Sequence, residues 1–68
     1  MLHIGERVRF IHSNFHGRWP IRDKYLGKYG TITNYETDAE GNDWYMITFS
    51  NNDSWYFMAK ELKTSIWR

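Results

Sequence analysis

Few side chains in this sequence have the type and spacing that chemistry needs. His12-x-x-x-His16 has the i, i+4 interval of two imidazoles on one helix face, and His3 lies nearby. The segment carries loop residues rather than a helical pattern, and no HExxH carboxylate accompanies it. The three histidines therefore read as loop residues, and no metal is expected. Asp38, Glu40 and Asp43 surround Gly41, but their spacing departs from D-x-[DN]-x-[DN]-G, so the segment reads as a solvated acidic loop. No nucleophile elbow, phosphate-binding glycine loop or Ser/His/Asp order is present. The absence of cysteine removes disulfides and thiolate ligands and fits a reducing, cytoplasmic setting. A chain of 68 residues has little room for a ligand pocket, typically about 300–1,000 Å³. The expectation is a non-enzyme without a cofactor.

The remaining candidates are aromatic and cationic. Four Trp, five Tyr and four Phe make 19% of the chain. Each can bury about 150–250 Å², so few are needed to fill a small core. Charge is balanced in total, with a formal net charge of +1, and unbalanced along the chain. Residues 1–30 hold six cations (Arg7, Arg9, Arg18, Arg22, Lys24, Lys28) against two carboxylates, giving +4. Residues 31–68 hold three cations against six carboxylates, giving −3. This split predicts a basic face centred on 16–28 and an acidic one on 36–43.

The elements that must position these groups are strands. Arg7 to His12 alternates charged and apolar residues, with Val8 and Phe10 on one face. Residues 13–26 read as a long loop anchored by Phe15, Trp19, Ile21, Tyr25 and Leu26. Gly27 to Gly30 is a turn, 31–36 a strand, 37–43 a hairpin loop and 44–49 the most β-prone strand. Ser50 to Asp53 is a tight turn in which Asn supplies positive φ. A strand over 54–58, a short 3-10 turn over 59–62 and a last strand toward Trp67 complete the chain. Together they predict one all-β domain over residues 1–68, a small five-stranded barrel. No run of about 18 apolar residues could cross a membrane, and residues 1–7 do not look like a signal peptide.

The order of elements resembles an SH3-like barrel, and most closely the SH3-like repeat of the Mind bomb type. The matching residues are Gly5 with Val8, Trp19, Gly27-x-x-Gly30-x-Ile32, Ile47-x-Phe49, Trp55-x-Phe57 and Leu62. Met58-Ala59 stands where that family tends to have a proline. KOW and Tudor domains share the G-x-x-G-x-[VI] signature in part. The resemblance implies a module that captures peptide segments of partner proteins.

With Ile47 and Phe49 inside, as the resemblance implies, alternation adds Tyr45, puts Trp55 and Phe57 on one face of the next strand, and leaves Trp44, Met46, Tyr56 and Met58 facing the other way. Phe10, Tyr45, Phe49, Trp55 and Phe57 suffice for the barrel centre. The surplus aromatics predict a surface groove formed by Trp19, Tyr25, Tyr29, Trp44 and Tyr56 and rimmed by Arg18 and Arg22. The leading expectation is a stand-alone adaptor or inhibitor that binds a protein or peptide there. Two alternatives stay open. One is nucleic-acid binding through the basic residues of 7–28, for which a pI near 8.1 is low. The other is a structural or oligomeric subunit.

Overall fold

Strand β1 (Arg7–Phe10) buries Val8 and Phe10 and turns Arg7 and Arg9 outward, as alternation requires. The computed structural model describes residues 2–64, so Trp67 and any strand beyond Thr64 lie outside the described residues. β1 ends two residues earlier than expected. One step beyond the Phe10–Leu62 pair, the Ile11 amide donates to the Glu61 carbonyl at 2.9 Å.

The long loop is not structureless. It holds one helical turn, α1 (Pro20–Asp23), with proline at its start, where a missing N–H costs nothing. The Asp23 carboxylate accepts from the Ser13 hydroxyl at 2.8 Å and from the Gly17 amide at 3.0 Å, folding the loop on itself. The Ser13 bond in particular lowers the Asp23 pKa.

Strand β2 (Tyr29–Thr37) begins inside the expected turn, because Gly27 alone takes up the reversal with φ 88°. Gly30 becomes a buried strand residue. A Cβ there would overlap Ile47 Cγ2 and come within 3.0 Å of the Thr48 carbonyl. The pairing register with β3 shifts between Ile32 and Asn34, so Thr33 forms a bulge that bends the strand. β3 (Asp43–Thr48) and β4 (Ser54–Met58) pair from Trp44↔Met58 to Thr48↔Ser54. Asn52 in their turn has φ 70°, as expected for asparagine in a tight hairpin.

A 3-10 turn (Ala59–Glu61) leads into β5 (Leu62–Thr64), which pairs with β1. The antiparallel order is β4-β3-β2-β1-β5. The all-β class, five strands and 3-10 turn agree with the expectation. The hydrogen-bonded ladder is open, with β4 and β5 at its two edges. The three-residue 3-10 turn between them carries the chain across so that β5 pairs with β1.

The core is Val8, Phe10, Tyr25, Ile32, Ile47, Phe49, Phe57 and Leu62. Phe57 sits at its centre, with ring centroids 4.5 Å from Phe10 and 5.9 Å from Phe49. Tyr45 and Trp55, expected at the centre, are only half-buried and pack against the cluster. Ile21 and Leu26, expected to cover the sheet, remain exposed.

Candidate functional site

The long loop is pinned by a buried ion pair that sequence reading did not anticipate. Arg22, expected on a groove rim, is only 1% exposed, and Glu61 is fully buried. Arg22 Nη2 lies 2.6 Å from Glu61 Oε2 and Nη1 lies 3.1 Å from Oε1, a two-pronged pairing. Nη1 also donates to the Tyr56 carbonyl at 3.0 Å. Glu61 accepts the Met58 and Asn14 amides, each at 2.8 Å, so its oxygens are fully engaged. The guanidinium carbon lies 4.7–5.7 Å from the ring centroids of Phe10, Phe15, Trp19 and Phe57. These rings exclude water and favour the cation through their faces. Buried charge survives here because the loop, the 3-10 turn and β4 each satisfy part of it.

On this foundation the loop meets the outer face of the β3–β4 hairpin. Phe15 stacks on Trp44 at 5.8 Å and tilts against Trp19 at 4.9 Å. Beside them Trp19, Trp44, Trp55 and Tyr56 line a hollow of about 210 Å³, floored by Arg22. A second hollow of about 200 Å³ adjoins it, lined by Glu36, Thr37, Asp38, Trp44 and Tyr56. Trp44 and Tyr56 form the ridge that the two share. One side of the ridge is apolar and the other acidic.

Hydrogen bonds fix the ridge. The Trp44 indole N–H donates to Asp38 Oδ2 at 2.9 Å. Asp38 also accepts the amides of Glu40 and Asn42, each at 2.9 Å, and the Asn42 side-chain amide at 3.1 Å. These donors, the indole first, hold the Asp38 pKa at about 2. The hairpin loop is thus a carboxylate-centred turn that holds the polar edge of Trp44 and leaves its ring for apolar contact. The Tyr56 hydroxyl donates to Glu36 Oε2 at 3.1 Å, and burial together with this bond raises the Tyr56 pKa.

The structure brings Trp19, Trp44 and Tyr56 to one hollow and places the other candidates elsewhere. Tyr25 belongs to the core. Its ring stacks on Phe49 at 4.2 Å, and its hydroxyl donates to Asp53 and accepts from Asn51 Nδ2 at 2.8 Å. The bond to Asp53 raises its pKa. Tyr29 is exposed on the β1–β2 face, with the Arg7 and Arg9 guanidinium carbons 5.3 Å and 5.5 Å from its ring centroid. Arg18 is exposed beside Trp19 and does not line the hollow. The expected arginine rim is replaced at one end by Glu36 and Asp38. Among the described residues, no three His, Cys, Asp or Glu side chains converge to hold a metal. No helix among them is long and apolar enough to cross a membrane.

Two hollows of this size suit single side chains of a partner better than a whole drug-sized ligand. No family model matches this chain, and no curated relative matches it. Among solved structures it is similar to the cyanobacterial cytochrome b6f complex subunit PetP, determined in solution. The two align with a TM-score of 0.80 and 22% identity over 96% of this chain and 81% of that one. The likeness shows a shared fold.

Proposed function

We propose that this chain is a non-enzymatic protein-binding module that captures a segment of a partner protein across the Trp44–Tyr56 ridge. An apolar side chain enters the hollow between Trp19, Trp44 and Trp55, and a neighbouring Lys or Arg reaches toward Glu36 and Asp38. The observation that carries this reading is the pair of adjoining hollows sharing one hydrogen-bonded ridge. Aromatic anchors already held in place lose little freedom on binding, which is where interface energy concentrates.

Two likenesses support it. PetP, which shares the fold, is a subunit of the cytochrome b6f complex. The motif resemblance to Mind bomb-type repeats points to peptide capture as well. A nucleic-acid role for residues 7–28 is weakened because Arg22 is consumed by Glu61 in the interior.

The test is affinity capture from the native host's lysate, with and without nuclease, followed by titration of the purified partner. The proposal expects a nuclease-resistant protein whose binding is lost on Trp44→Ala. A nuclease-sensitive partner, or a purified partner that binds the variant equally well, overturns it.

A further inference from the structure

A second charged surface lies away from the aromatic hollows, on the outer face of β5, β1 and β2. Arg9 pairs directly with Lys63 on β5 and with Tyr29 on β2, so the three side chains form one row across the sheet. Arg7, two residues before Arg9, points from the same face, and Lys28 precedes Tyr29. Like charges directly opposite on neighbouring strands destabilise a sheet. Among the described residues, Arg9, Lys28 and Lys63 form no ion pair with a described carboxylate.

The row is also positioned. Arg9 Nε donates to the Gly27 carbonyl at 3.0 Å, and its guanidinium and that of Arg7 lie over the Tyr29 ring. Next to them is a depression of about 390 Å³, whose wall includes Arg7, Lys28, Tyr29, Ser50 and Asn51.

We infer that this face is a docking surface for an acidic, carboxylate-rich segment of a protein partner. Its dimensions fit an extended peptide. Arg9 and Lys63 stand directly opposite on neighbouring strands, about 5 Å apart, so both can meet the carboxylates of one extended segment. Lys63 to Tyr29 spans two strand spacings, about 10 Å. The guanidinium edges meet carboxylates by paired N–H donation. A nucleic acid fits less well. The guanidiniums already occupy the Tyr29 ring, so a base could stack there only by displacing them. The carboxylates of Glu36, Asp38, Glu40 and Asp43 and a net charge of +1 work against a long polyanion. This surface is independent of the aromatic ridge, so either proposal can fail alone.

The experiment titrates full-length protein with fluorescein-labelled hexaglutamate at about 50 mM salt, where such contacts are little screened. Parallel arms use a thymidine hexanucleotide, and vesicles of phosphatidylcholine with phosphatidylserine. The inference expects hexaglutamate to bind tightest, with amide shifts at Arg9, Lys28, Tyr29 and Lys63. Reversing two surface cations, Lys28→Glu with Lys63→Glu, should weaken it about tenfold while Trp44→Ala leaves it unchanged. The neutral pair Lys28→Gln with Lys63→Gln gives an intermediate loss and guards against misfolding of the first variant. Tighter binding of the oligonucleotide or the vesicles overturns the inference. So does unchanged hexaglutamate affinity in both folded variants, or a mass that rises with concentration until hexaglutamate is excluded by a second copy of the chain.

Discussion

Arg22 and Glu61, 39 residues apart in the chain, meet through two hydrogen bonds of 2.6 Å and 3.1 Å with neither side chain open to water. The pair joins the long loop to the 3-10 turn at the gap between the two edge strands. It also seats Trp19, which lines the apolar hollow. Binding surface and stability are therefore coupled through one ion pair.

Removing one partner strands the other charge in the interior. Glu61→Ala is expected to cost about 3–5 kcal/mol. The whole domain, at roughly 0.05–0.15 kcal/mol per residue, has about 3–10 kcal/mol. The variant should therefore lose a large share of that stability, read as a lowered urea midpoint by circular dichroism. Replacing both partners, Arg22→Met with Glu61→Met, should recover most of the loss, since no charge is then left unpaired. A double variant no more stable than the single one would refute this assignment.

Gly30→Ala places a methyl group against Ile47 and the Thr48 backbone. The neighbour is strand backbone and a packed core side chain, so relief requires movement of β3. Denaturant unfolding should show a loss of about 1–3 kcal/mol, the usual range for overpacking. An unchanged midpoint would mean that β2 and β3 separate more easily than this packing implies.

The hairpin loop should respond to acid. Asp38 has a pKa depressed from 3.8 to about 2, so its contribution is complete above pH 4 and is lost as pH falls through 2. Amide exchange at Glu40 and Asn42, and the Trp44 indole resonance, should change together across that window. Asp38→Asn should keep the fold and remove the transition. An indole resonance insensitive to acid in the parent protein would exclude the bond to Asp38.

In alkali the sign is opposite. Tyr25, Tyr35 and Tyr56 have raised pKa values; bonds to Asp53 and Asp43 lead for the first two, burial for the third. Their contributions are present below pH 10 and vanish as pH rises through the elevated values. Ultraviolet titration should show three tyrosines ionising late, and Tyr25→Phe should remove one of them. Tyr25 ionising at its ordinary value would contradict its placement between Phe49 and Asp53.

The parts of this fold that were legible in the sequence rest on local pattern. β4 fell on its expected residues because three consecutive aromatics follow a clear turn there. The surplus aromatics Trp19, Trp44 and Tyr56 were identifiable as surface candidates because each lies off the inward-facing set. Arg22 and Tyr25 were misplaced for one reason. Each is a polar-tipped residue in a loop, and what buries it is a distant acid, Glu61 or Asp53, with no sequence-local signal. Asp38 was closer to reach. An aspartate before a Gly-Asn turn commonly accepts nearby loop amides, though its bond to the Trp44 indole depends on the hairpin register.

The claim that the ridge is a protein-binding surface is tested most directly by one paired measurement. The affinity of Trp44→Ala for the captured partner is compared with that of the parent protein, alongside both thermal midpoints. The account predicts a loss of about 2 kcal/mol or more, roughly thirtyfold, as for a central aromatic anchor. It predicts that the midpoint stays close to that of the parent protein, because Trp44 lies outside the core cluster. Undiminished affinity in a folded variant would contradict it.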